Sequence, residues 1–208
     1  MFELNTLENM AIPFPEREIF LRLGGNVAKT VLPEDSAAAY RKTALEAFGM
    51  CVPCGRWKIL KCEVKSDGVL LDGNVFIPGA DFARRCSNAA FIWCGAVTVG
   101  NAVLTKRDQL ARVSQGAVYD AVAGECADAA MDALTRLARN ELRRRGLGLS
   151  ERRFSPGYGD MPLELQKFFY DKLNMAQMGI RLTENCFLFP EKSVTAFAFI
   201  YNLQENQS

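Results

Sequence analysis

The longest helical pattern in this sequence runs over 114–145, and it constrains the fold more than any other feature. At 1.5 Å per residue such a helix spans about 48 Å. Val118, Val122, Cys126, Ala129, Ala130, Ala133, Leu134 and Leu137 form one apolar stripe along it. That stripe is flanked by more small residues: Gly116, Ala117, Ala121, Ala123, Gly124 and Ala127. Small side chains admit close approach, either of a packed sheet or of a ligand, and both readings stay open. Arg143-Arg144-Arg145 puts cations at the negative end of the helix dipole, and Gly146 follows as a stop.

The rest of the chain must cover this helix. A short helical pattern over 16–23 ends at Gly24-Gly25, and a second starts at Pro33-Glu34-Asp35 and runs to Phe48. Ala38, Leu45 and Phe48 are its expected inner face. The period then changes to two. Strands are predicted over 57–64, 69–71 and 75–77, joined by Ser66-Asp67-Gly68 and Asp72-Gly73 turns. A short helix is predicted over 81–86, and the apolar run 89–99 reads as a buried central strand. After a loop at 152–160 come a helix over 163–173, a short strand at 180–182, the apolar residues 187–189 and a partly alternating run over 193–201 before a polar tail. Helices and strands alternate irregularly, without a regular βαβ beat. The expected class is α+β with a largely antiparallel sheet. We expect one domain over 1–208: a helical part at 1–50, then sheet and long helix over 57–208.

Chemistry is bounded by a count of zero, because the sequence contains no histidine. Triads and dyads built on imidazole are excluded, as are His-ligated zinc, iron and haem sites. Lys plus Arg is 25 and Asp plus Glu is 24, a formal charge of +1. That balance argues against bulk electrostatic binding to nucleic acid or anionic lipid. No apolar run reaches the 18 or so residues of a membrane span. The N-terminus lacks a signal-peptide pattern, so the seven cysteines are read as free thiols in a reducing cytoplasm.

Cys51-Val52-Pro53-Cys54 with Cys62 is the one thiol motif, a candidate redox pair or partial metal site. It follows a helix and precedes a strand, the wrong side for dipole activation of a thiol, and no histidine can complete a zinc set. Phosphate-cradling glycine loops are missing. The segment Arg153-Phe154-Ser155-Pro156-Gly157-Tyr158-Gly159-Asp160 stands apart. Pro156 stiffens the turn, Gly157 and Gly159 free the backbone, Arg153 offers a planar cation for a carboxylate, and Tyr158 offers an aromatic wall. The plainer alternative is a Pro-Gly surface turn beside a solvated arginine.

This segment resembles the signature of the activation domain of cobalamin-dependent methionine synthase, whose variant reads Arg-x-x-Pro-Gly-Tyr. A second block, Ile180-Arg181-Leu182-Thr183-Glu184-Asn185-Cys186 through Pro190-Glu191-Lys192-Ser193-Val194-Thr195, resembles that family's L-T-E-S … P-x-x-S-V-S. Ala127-Asp128-Ala129 in the long helix and Ile19 to Gly25 (IFLRLGG) are similar to further family segments. The resemblance is densest over 153–200. It implies a helmet-like α+β fold with a twisted antiparallel sheet. It implies S-adenosylmethionine as cofactor, with Arg153 on the methionine carboxylate, Ser155 and Gly157 in backbone contacts, and Tyr158 lining the site. Asp128 stands where the family has a longer glutamate. A ligand-contacting tyrosine of the family's C-terminal extension has no counterpart before Ser208. The cobalamin signature Asp-x-His-x-x-Gly is missing as well. The resemblance therefore implies a stand-alone activation module, not catalytic alone, that supports reductive remethylation of cob(II)alamin on a separate corrinoid protein. A flavodoxin-type protein would donate the electron. The competing expectations are a non-catalytic scaffold of the same fold and a CxxC thiol or metal protein.

Overall fold

The computed structural model describes residues 3–26 and 28–203. The polar tail at 204–208 lies outside them. Its centre is the long helix α5, Val113–Arg143, against a wholly antiparallel sheet. The strands are β1 (Asn5–Leu7), β2 (Cys54–Val64), β3 (Gly68–Leu71), β4 (Val75–Pro78), β5 (Phe91–Thr98), β6 (Leu147–Leu149) and β9 (Ser193–Asn202). Their order is β4-β3-β2-β5-β9-β6, with β1 also pairing β2. The apolar run expected at the centre is β5, between β2 and β9.

β2 is long enough to take two partners on one edge. Its first half pairs β1 from Asn5↔Trp57, and its last three residues pair β3. Asp72 and Gly73 both take positive φ in the β3–β4 turn, as an Asp-Gly hairpin requires.

Strand alternation divides the core. Trp57, Ile59, Trp93, Val97, Ala196, Ala198 and Ile200 face α5 and meet its Ala130, Met131, Leu134 and Ala138. On the other face, Leu60, Ile92, Cys94, Ala96 and Phe197 pack against the short helices α3 (Ala80–Arg85) and α6 (Gln166–Lys172). A third cluster lies off the sheet. There the N-terminal half of α5 meets α1 (Glu16–Arg22), α2 (Glu34–Gly49) and α4 (Ala102–Asp108) through Ala121, Ala123, Cys126 and Ala127. The small residues of α5 thus serve helix packing in its first half and sheet packing in its second.

Two facing assignments change. On α2 the inner face is Ala44 and Ala47 with half-buried Tyr40 and Phe48, while Ala38 and Leu45 are exposed. Alanine at the contact lets α2 lie close to α5, and that rotates Leu45 outward. On α5, Leu137 is exposed and Tyr119, Met131, Thr135 and Leu142 are buried instead. An ideal helix drifts from a strict stripe over this length. Strands β1 and β6, three residues each, are too short to give a periodic signal and were not expected, and neither was helix α4. β1 places a strand within 1–50, which reads as helical from sequence.

A small hairpin, β7 (Arg181–Leu182) with β8 (Leu188–Phe189), precedes β9. Buried Arg56 on β2 pins the turn before it: its Nη1 donates to the carbonyls of Leu173 (3.3 Å) and Asn174 (2.9 Å) and to Gln177 Oε1 (2.9 Å). Among the described residues no helix is long and apolar enough to cross a membrane.

Candidate functional site

The 152–160 loop is tied to the sheet at one point. Phe154 and Phe197 exchange backbone hydrogen bonds of 2.9 and 2.7 Å, an isolated bridge on the outer edge of β9. Beyond it, β6 pairs only Ile200 to Asn202. Among the described residues, no strand pairs with that edge over 193–196. By antiparallel alternation Thr195 turns its backbone N–H and C=O to the same side as Phe197.

A cavity of about 500 Å³ follows this open edge. Ser193, Val194, Thr195 and Ala196 form its floor, Arg152 to Pro156 and Tyr158 to Met161 one wall, and Asp128 of α5 another. Four of the five residues singled out by sequence therefore converge: Arg153, Ser155, Tyr158 and Asp128. Gly157 is not on the wall. Its φ is +85°, its N–H donates to the Met161 carbonyl at 2.9 Å, and a Cβ there would lie 3.2 Å from Leu163 Cδ1. Its observed role is to let the loop turn.

The loop is held firmly. Phe154 packs edge-on against Phe82 with ring centroids 5.1 Å apart, and the Arg152 guanidinium lies 5.5 Å from the Phe154 ring. Asp160 Oδ2 accepts the Asp81 N–H at 2.8 Å, which joins the loop to the start of α3. On the floor, Thr195 Oγ1 meets Gln166 Oε1 at 2.8 Å. Ser193 Oγ reaches the Pro190 carbonyl at 2.7 Å and Thr98 Oγ1 at 3.0 Å. Tyr158 stands at the rim, 76% exposed.

α5 brings a line of acids to the site, Glu125, Asp128 and Asp132, at helix-face spacing. Two arginines from distant segments meet it. Arg22 of α1 binds Glu125 through a short contact and Asp128 at 3.1 Å. Arg153 Nη1 donates to Asp132 Oδ1 at 2.7 Å and to Thr135 Oγ1 at 3.3 Å. Partial desolvation, and then the Glu125 carboxylate, lift the Asp128 carboxyl above its ordinary value in spite of Arg22 and Arg153. Sequence reasoning missed Arg22, Asp132, Thr135 and Gln166. Arg22 lay within a quoted segment, but nothing local ties it to residues more than a hundred positions away.

Cys51, Cys54 and Cys62 are not brought together as one group. Cys54 opens β2 and Cys62 lies near its far end, roughly 26 Å along the strand. Cys51 instead meets Cys126 of α5, and that contact lowers the Cys51 thiol while it raises Cys126. Burial pushes Cys62 up to about 11 and Cys86 and Cys94 up to about 12, away from reactive thiolate. Among the described residues no group of three or more acids and cysteines is placed to hold a metal ion.

No protein-family model matches the sequence, and a search of curated proteins gives no match. Among solved structures, the chain is similar to the crystal structure of the MetH reactivation domain bound to AdoHcy. The TM-score is 0.64 at 16% identity, covering 95% of this chain and 78% of that one. An antiparallel sheet with one long helix across it, matched over nearly the whole chain, gives this protein the fold of the MetH reactivation domain.

Proposed function

We propose that the cavity binds S-adenosylmethionine. The observation that carries this reading is the convergence of Arg153, Ser155, Tyr158 and Asp128 on one cavity, in a fold of which a solved example is bound to AdoHcy. About 500 Å³ falls within the usual range for a ligand of this size. Arg153 takes the amino-acid carboxylate through its planar fork. Asp128 faces the amino group, where a carboxylate favours the charged ammonium. The open edge at Thr195 offers a backbone donor and acceptor to a flat heterocycle, and Tyr158 covers it from the rim.

When bound, S-adenosylmethionine supplies an electrophilic methyl group on a sulfonium. This chain's residues bind and orient it, and orientation alone can supply several kcal/mol to a methyl transfer. The acceptor in our reading is cobalamin held by a separate corrinoid protein in the cytoplasm, reduced by a flavodoxin-type donor. The chain then acts as an activation module and turns over nothing alone.

Titration calorimetry with S-adenosylmethionine tests the reading. Wild type is expected to bind. Arg153→Ala is expected to weaken binding about 10- to 150-fold, the loss of a charge-assisted contact worth about 1.5–3 kcal/mol. Unchanged affinity in the variant would remove Arg153 from the site. Absence of binding in wild type would leave the scaffold reading in its place.

A further inference from the structure

Arg153 has five N–H donors, and their use is unequal. Both hydrogens of Nη1 are committed, one to Asp132 Oδ1 at 2.7 Å and one to Thr135 Oγ1 at 3.3 Å. Nε and Nη2 have no hydrogen-bond partner among the described residues. Thr135 is 4% exposed, and its own hydroxyl proton goes to the Met131 carbonyl at 2.6 Å. Its oxygen is therefore left as an acceptor aimed at Arg153. Asp132 is one turn below Asp128 on α5. Arg153 and Asp128 line the cavity, and Asp132 and Thr135 do not.

Two roles for Asp132 have opposite signs. As a placeholder it would occupy the arginine until a ligand carboxylate displaced it. As an anchor it would hold one end of the guanidinium so that the other end meets the ligand. The geometry favours the anchor. Asp132 takes only Nη1 and leaves the Nε–Nη2 edge, which is the edge that receives a carboxylate in two parallel bonds. Arg153 carries several rotatable bonds, and fixing its head before binding removes ordering cost from the binding step.

We propose that Asp132 and Thr135 are positioning residues: a clamp on Arg153 Nη1 that presents the Nε–Nη2 edge to the carboxylate of an amino-acid-bearing nucleoside. The proposal rests on the S-adenosylmethionine reading and adds the residues that orient its carboxylate contact. Asp132 is negative and close to where the ligand's own carboxylate sits. Simple repulsion or competition therefore predicts that removing Asp132 tightens binding, whereas the clamp predicts weaker binding.

The experiment compares wild type, Asp132→Ala, Asp132→Asn and Thr135→Val. Two probes are titrated: S-adenosylmethionine, and 5′-methylthioadenosine, which lacks the carboxylate. Asp132→Ala is expected to lose about 10-fold in affinity for S-adenosylmethionine, as for one lost charge-assisted bond. Asp132→Asn keeps an acceptor and is expected to recover most of it. Thr135→Val is expected to weaken the same probe. All four proteins are expected to bind 5′-methylthioadenosine alike, which separates the clamp from general damage to the fold. Equal or tighter S-adenosylmethionine binding by both Asp132 variants overturns the clamp and leaves the Arg153 reading standing. If wild type binds neither probe, the functional reading falls, and side-chain NMR of the ligand-free protein decides the clamp separately. Hindered rotation of the Arg153 guanidinium in wild type, released in Asp132→Ala, supports it. Free rotation in wild type overturns it.

Discussion

At the scale of single residues, the site was legible where chemistry and sequence distance coincide. Arg153, Ser155 and Tyr158 lie in one short loop, so a rigid Pro-Gly turn brings them together whatever the rest of the fold does. Asp128 could be placed beside them only through family resemblance. The partners of these residues were not legible, because Arg22 and Asp132 look like any surface charges on amphipathic helices. A second ion cluster shows how such charges hold the cavity floor. Asp120 of α5 binds Arg107 of α4 at 2.7 Å and Lys192 at 3.0 Å, and Arg107 also binds Glu191. These contacts fasten the Pro190–Ser193 turn just ahead of the floor strand. Desolvation raises the Asp120 carboxyl, but Lys192 and Arg107 outweigh it and hold the group below its ordinary value. A carboxyl lowered in the native state stabilises above its unfolded value, near 4, and that stability drains as pH falls below it. Asp120 is partly exposed, so the effect is modest. Asp120→Asn is expected to cost about 0.5–1 kcal/mol at pH 7. The gap to wild type is expected to close as pH is lowered from about 4, followed by thermal melts across pH. A constant gap down to pH 2 would show that the ion cluster is not its origin.

At the scale of elements, the strands that alternate and the helices that repeat were legible, including the central β5 and the long α5. Facing was less so. α2 reads as apolar at Ala38, Leu45 and Phe48, yet the contact chosen is Ala44 and Ala47, because closeness to α5 outweighs burial of one leucine. Glycines within strands mark the same preference for close fit. A Cβ on Gly95 of β5 would lie 2.2 Å from the Trp93 ring, which crosses over it and is fully buried. A Cβ on Gly148 of β6 would lie 2.4 Å from the Tyr201 ring, which is partly exposed. The two clashes differ in what can move. Trp93 is enclosed by Met131 and Leu134 of the same cluster, so Gly95→Ala must distort the core and is expected to cost about 1–3 kcal/mol. Tyr201 can swing outward, so Gly148→Ala is expected to cost less. Chemical denaturation of both variants checks the order, and equal costs would show that Trp93 yields as easily as Tyr201.

At the scale of the whole molecule, the α+β class followed from the irregular order of helices and strands, but the sheet order did not. Local pattern carries no information on which strand crosses to which, and β9 joins the sheet between β5 and β6 from the far end of the chain. The proposed activity belongs to this scale too, since it needs a second molecule. The protein alone is expected to give no methyl transfer. With a cob(II)alamin-loaded corrinoid protein, a low-potential reductant and S-adenosylmethionine, methylcobalamin is expected to form, and more slowly with Arg153→Ala. Equal rates with and without the protein, read from the cobalamin absorption spectrum, would end the activation reading. α5 has one further consequence. Its acids take one cation, Arg153, from a loop pinned to the sheet, and the other, Arg22, from a helix that packs only in the third cluster, off the sheet. The Arg22 half of this electrostatic frame thus depends on the docking of α1, whose Ile19 is fully buried in that cluster. Apparent affinity for a ligand that needs Asp128 in its paired state scales with the docked fraction. A substitution that loosened α1 is therefore expected to weaken the cavity's ligand contact without touching its wall.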